Sequence, residues 1–293
     1  MTGGGVDGLV YAPDGRTLYT FDGLSRFAAW DVANREAKPL ARLEDQDRLG
    51  VYRLVVSPDG EFLVALQAGT SVACGATADR EYRLGYVPWP VAAPFVPGYD
   101  SRIAVLHREH RLVGFWDIAD AREELDAGFA WHRGESVRSF DFAPDGRTVA
   151  VLGETGEVVL ADTASGEHLA RITVPRRAQW LAHVQFSPDG QTLLLFTEHQ
   201  LVLWDIPRGA VRAETRTPVP VHATLALNPT LPVFAALSPE LLLTLYSLET
   251  GKPLRSLDFM LGRYVRCVAF APDGLTCAVG GSNKQFAVFD VDV

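Results

Sequence analysis

The chain has 293 residues, 47% of them apolar and 22% charged, and a net charge of −9. These are ordinary globular values, and the acidic balance argues against nucleic acid or an anionic membrane as partner, since both need a positive field. No apolar run approaches the ~20 residues that cross a bilayer, Met1–Gly5 lacks the basic and apolar stretches of an export signal, and the three cysteines, Cys74, Cys267 and Cys277, fit no metal spacing. The expectation is a cytoplasmic protein with reduced core thiols and neither metal nor cofactor.

In chain order, the first element is a strand beginning at Val6, ended by Ala12-Pro13-Asp14-Gly15. Proline presets φ for a turn, aspartate bonds its own downstream backbone, and glycine accepts positive φ. The phrase returns as Ser57-Pro58-Asp59-Gly60, Ala143-Pro144-Asp145-Gly146, Ser187-Pro188-Asp189-Gly190 and Ala271-Pro272-Asp273-Gly274. Worn copies stand at Pro97-Gly98 and Asn228-Pro229-Thr230, so successive prolines lie 45, 39, 47, 44, 41 and 43 residues apart. A period in the low forties marks stacked units, each too small to bury its apolar face alone.

Aligned on the proline, each unit spells out its strands. Apolar residues stand seven, four and two places before it, as in Val137, Phe140 and Phe142 or Val265, Val268 and Phe270. The last step has strand periodicity, and the uneven first step predicts a bulge near the strand start. A second strand follows the turn (Thr17 to Phe21, Phe62 to Leu66, Thr148 to Leu152, Thr192 to Phe196, Thr276 to Gly280). A third is read at Phe27 to Val32 and Leu201 to Ile206, and a fourth at His168 to Val174 and Pro253 to Phe259. Four short antiparallel strands without a helix make a propeller blade, so the expected fold is an all-β, seven-bladed propeller. The blades are read at about 6–45, 49–84, 91–131, 135–174, 180–217, 221–259 and 264–293.

Phe186-Ser187-Pro188-Asp189-Gly190, the pairs Trp30-Asp31, Trp116-Asp117 and Trp204-Asp205, and the turn at Thr250-Gly251 resemble the WD-repeat family over nearly the whole chain. Trp-Asp decays to Ala161-Asp162 and Phe289-Asp290 in other copies. Full members of the family carry a Gly-His pair whose His joins an Asp, a Ser/Thr and the Trp in a network. No Gly-His occurs here, the nearest being Trp131-His132, so the tryptophans are expected to pack without that network.

Two sectors depart from the pattern. The seventh unit ends after its third strand, which predicts an open three-stranded blade or a chain cut from a longer protein. Its outer strand, Phe286 to Phe289, would then be an exposed edge, a liability or a docking strip. Between Val87 and Pro97, four prolines exclude a central strand, leaving a surface loop, an edge strand or a proline-rich docking segment. The third-strand signal near Ser71 is weak.

The sequence carries no Gly-x-x-x-x-Gly-Lys phosphate loop, Gly-x-Ser-x-Gly elbow or His-Glu-x-x-His. His107 and His110 read as a solvated pair, His183 as a satisfied core histidine, and the aspartates after Trp as turn acceptors. In the family geometry, the loops joining one blade to the next lie on the narrow top face, where partners bind. Those loops hold Arg48, Trp131-His132-Arg133, Arg176-Arg177, Trp180 and Arg263-Tyr264, and just inside, six residues before the proline, stand Tyr52, Arg138 and Arg266. Arg, Trp and Tyr are the types enriched in interface hot spots, although arginine also favours ordinary solvated loops. The expected function is a non-catalytic scaffold binding a protein or peptide, in particular an acidic one, on that face. The alternative is a small-molecule hydrolase of the lactonase kind, with Asp141, His183 and Gln185 in the funnel, flanked by Arg138 and Arg266.

Overall fold

The computed structural model describes residues 5–22, 26–42, 51–67, 70–75, 84–88, 95–99, 101–107, 112–120, 122–130, 137–153, 155–172, 181–197, 200–216, 225–237, 242–257 and 265–292. They form seven antiparallel sheets of consecutive strands. Blade one is β1 (Val6–Tyr11), β2 (Thr17–Asp22), β3 (Arg26–Asp31) and β4 (Glu36–Arg42). Blade two is β5 (Val51–Val56), β6 (Phe62–Gln67), β7 (Thr70–Gly75) and β8 (Leu84–Pro88). Blade three has three strands, β9 (Arg102–His107), β10 (Leu112–Asp117) and β11 (Arg122–Ala130). Blade four is β12 (Val137–Phe142), β13 (Thr148–Gly153), β14 (Val158–Asp162) and β15 (His168–Ile172). Blade five is β16 (Leu181–Phe186), β17 (Thr192–Thr197), β18 (Gln200–Asp205) and β19 (Ala210–Arg216). Blade six is β20 (Ala226–Leu227), β21 (Val233–Leu237), β22 (Leu243–Ser247) and β23 (Pro253–Leu257). Blade seven has β24 (Val265–Phe270), β25 (Thr276–Gly281) and β26 (Phe286–Asp290).

Seven apolar clusters sit between the blades, one at every junction. Phe27 of blade one packs with Leu54 of blade two, Val64 with Ile103, Phe115 with Phe140 and Leu160 with Val184. The series continues with Phe196 and Phe234, then Leu245 and Val268. The seventh cluster joins Cys267 and Ala278 of the last blade to Val6 and Leu18 of the first, which closes the ring. Strand alternation explains this order: on each inner strand, the residues four and two before the proline face the preceding blade, and the residue three before it faces the following one. Each sheet thus lacks a core of its own and gains one only from both neighbours.

The Pro-Asp-Gly turns are formed as read. Gly15 N donates to Ala12 O at 3.0 Å, and the four other full copies repeat the bond. Asp14 Oδ1 accepts from Arg16 N at 2.8 Å and from Thr17 N at 2.9 Å. The structure adds a second role for four of these turns, which lean on the next: Pro13 lies against Gly60, Pro97 against Gly146, Pro144 against Gly190 and Pro272 against Gly15. At Gly60, φ is +78° and a β-carbon would stand 3.3 Å from Pro13 Cδ, so glycine serves both the turn and the contact. Between blades six and seven the turn contact is polar: Asn228 Nδ2 donates to Gly274 O at 2.8 Å.

The three-stranded last blade is observed among the described residues. Blade three differs in a way the sequence left open: the only trace of its inner strand there is a single bridge, Phe95 to Ile103. Pro94 and Pro97 bracket Phe95 and offer no N–H to a ladder. Among the described residues, Leu84–Pro88 is an outer strand paired with β7, so Val87 and Pro88 of the proline sector lie in an edge strand.

One expectation is corrected. Trp30 is not a bare packing residue, since its indole Nε1 donates to Thr20 Oγ1 at 3.0 Å and so keeps one link of the family network. Blade five carries a different polar tie, where its second strand starts and its third ends. Arg212 of β19 reaches Asp205 Oδ2 at 2.7 Å and Thr192 Oγ1 at 2.9 Å.

The aspartates that end the third strands hold their turns. Asp31 accepts from Asn34 N at 2.9 Å, Asp117 from Ala119 N at 2.9 Å and Asp205 from Arg208 N at 3.0 Å. The Asn34 backbone N–H holds the Asp31 carboxyl below the usual range, the Ser165 hydroxyl does so for Asp162, and the Arg212 guanidinium for Asp205. A depressed folded value adds stability above the unfolded Asp value of about 3.9, and this is lost as pH falls through the folded values. The melting temperature is therefore expected to stay level from about pH 7 to about pH 5 and to drop below about pH 4. Equal melting at about pH 3 and about pH 6 would show that these carboxylates contribute nothing.

Candidate interaction site at the inner rim

The bulge expected from the uneven spacing is present in five blades. Register shifts occur between Val6 and Gly8, Val51 and Arg53, Val137 and Ser139, Leu181 and His183, and Val265 and Cys267. The extra residue in each case stands six before the proline: Asp7, Tyr52, Arg138, Ala182 and Arg266. A bulge bends its strand and re-aims the unpaired residue. Three of the expected partner-binding residues therefore occupy one structural position, repeated at the same end of the inner strands.

Of these three, the structure describes the side chains of Arg138, half-buried, and Arg266, exposed. Tyr52 lies on β5, and its side chain falls outside what is described. Arg48, Trp131, His132, Arg133, Arg176, Arg177, Trp180, Arg263 and Tyr264 all lie outside the described residues, as does His110.

Arg266 Nη1 donates to Asp7 Oδ1 across the junction of blades seven and one. Asp7 was passed over in the sequence, yet it stands in the same column as Arg266, and reading that column through all copies exposes the pair. The column one residue on holds a second cross-blade contact: Ser139 Oγ lies 2.6 Å from His183 Nδ1. Ser139 Oγ also accepts from Val184 N at 3.3 Å, and Asp141 Oδ2 accepts from Phe186 N at 2.7 Å. Two side chains of β12 thereby satisfy two amides on the inner edge of β16. His183 stacks on Phe196, with ring centroids 5.9 Å apart.

Ser139 beside a histidine has the form of a nucleophile and its base. Ser139 is only 1% exposed, however, and its oxygen is held by Val184 N, so the pair fastens blades four and five rather than presenting a reactive atom. No group of three His, Cys, Asp or Glu side chains among the described residues could hold a metal ion. The described thiols, Cys267 and Cys277, are buried and unpaired with each other, and burial pushes both well above their usual value.

Residues 251–290, the fourth strand of blade six through the third of blade seven, match the family model described as WD domain, G-beta repeat. The chain has a propeller fold, and this stretch of it is similar to a WD repeat. Its fold is shared by 1805 chains of solved structures, too many for the fold to name a function. One of them, a chain in the crystal structure of a mitotic checkpoint complex, aligns over 98% of this propeller and 87% of its own length. The TM-score is 0.70 and the identity 16%, so this likeness speaks for the fold alone. Comparison with curated protein sequences gives no match.

Proposed function

We propose that this propeller is a non-catalytic scaffold that holds an acidic peptide or protein segment on the top face of its ring. The observation that carries the reading is the repeated bulge, which puts Tyr52, Arg138 and Arg266 at one position around the inner rim. A guanidinium matches a carboxylate with a planar, preorganised fork, so less freedom is lost per hydrogen bond formed. The neighbouring loops, with Arg48, Trp131, Arg133, Arg176, Arg177, Trp180, Arg263 and Tyr264, would extend that surface. A structural relative drawn from a multiprotein assembly is in keeping with this use. With a net charge of −9, the protein is proposed to bind neither nucleic acid nor membrane, and to work in the cytoplasm without a cofactor.

The reading is tested with a fluorescein-labelled hexaglutamate peptide. Arg138→Glu, and separately the double change Arg176→Glu with Arg177→Glu, is expected to weaken binding by about tenfold, or about 1.4 kcal/mol. Added salt should weaken wild-type binding too, since the contacts are solvent-accessible. Unchanged affinity in both variants would remove the basis for an acidic ligand at this rim.

A further inference from the structure

Arg266 and Asp7 occupy equivalent positions on the inner strands of the last and first blades, each on the extra residue of a bulge. The Arg266 side chain is 44% exposed and that of Asp7 19%. Among the described residues, Asp7 is the one side chain that Arg266 touches through its guanidinium, by a single nitrogen. A guanidinium carries five N–H donors in a fork suited to two oxygens of one carboxylate. The fork therefore keeps donors in reserve while already in contact with the chemistry it would recognise.

We propose that Arg266 is a carboxylate-binding position at the mouth of the ring, and that Asp7 is its resident occupant, exchanged for an acidic side chain of the ligand. The proposal rests on the acidic-ligand reading above and adds to it a built-in competitor. In sequence, the position equivalent to Asp7 in the blade after Arg138 is Ala182. Exchange is cheap because an exposed ion pair contributes little and is screened by salt. Asp7 thus acts as a threshold: ligands with a well-placed carboxylate displace it, whereas neutral peptides leave the pair closed.

The test uses the same hexaglutamate probe and the full chain, with binding measured well below the melting transition of each variant. Asp7→Asn keeps the size and the hydrogen-bonding capacity of the side chain and removes its charge. It is expected to tighten binding by about threefold to fivefold, the range set by a solvent-exposed pair. Arg266→Gln should weaken binding by at least about fivefold, and Asp7→Asn should give no gain in that background. Wild-type affinity in Asp7→Asn would overturn the proposal and show that Asp7 only fastens the ring. A gain that persists beside Arg266→Gln would overturn it as well, since the effect would then be net charge alone. If the Arg138 and Arg176/Arg177 variants lose binding while the Asp7 and Arg266 variants do not, the acidic-ligand reading stands and this inference falls. If the wild-type protein does not bind the probe, both fall.

Discussion

Replacing Phe140 by alanine is expected to lower the free energy of unfolding by about 3–5 kcal/mol, the usual cost of deleting a buried aromatic ring. Phe140 is 1% exposed, and its ring meets Phe142 edge-on at 6.1 Å. Phe142 in turn lies 6.4 Å from Phe115 of blade three. Where the cost falls in that range depends on how far the junction collapses around the void. Among the described residues, the inner strand of blade three is reduced to the Phe95–Ile103 bridge. Since domains are stable by only about 5–15 kcal/mol, the variant would lose a large share of its margin. At about 2–4 °C per kcal/mol, its melting temperature should fall by roughly 10 °C. A loss below about 1 kcal/mol in urea unfolding would mean that this junction repacks freely and is not the weak point of the ring.

Gly274→Ala is expected to cost about 3 kcal/mol, from two sources that a control separates. At φ +73° an L-residue is strained by about 1–2 kcal/mol. A β-carbon there would also overlap Thr230 Oγ1 and lie 2.5 Å from Asn228 Oδ1. These are the side chains that tie blade six to blade seven, through Asn228 Nδ2 to Gly274 O and Thr230 Oγ1 to Asp273 O at 3.0 Å. Breaking a hydrogen bond of this kind costs about 1 kcal/mol. Gly98 provides the control, with φ +86° and nothing within 4 Å of an added β-carbon. Gly98→Ala should therefore show the backbone strain alone, about 1–2 kcal/mol. Equal losses in the two variants would rule out the steric part and reduce the blade-to-blade contact to a bystander.

Much of the ring was legible before any coordinates. Every second strand read from the sequence begins at its observed first residue, as at Thr17, Thr148 and Thr276. The reason is local: proline, aspartate and glycine fix the turn by their own backbone chemistry, and the strand starts where the turn ends. The bulge was legible too, from a three-residue step where a two-residue step belongs. The site was legible only in part. Arg138 and Arg266 were found by residue type, but Asp7 and Ser139 were not, because a lone acid or a small hydroxyl carries no signal until its partner is known. Their partners lie 259 and 44 residues away.

The sequence by itself therefore determined the unit, its four-strand plan, its turn and the number of units, because all of these follow from interactions within about forty residues. Only the tertiary structure decided how the units meet. It showed that four of the prolines pack on the next glycine, that Trp30 keeps a bond to Thr20, and that, among the described residues, the inner strand of blade three is one bridge. It also showed that the last blade reaches the first through Arg266 and Asp7. Those contacts form between units, where spacing along the chain carries no information, and they exist because a blade without its neighbours has no core.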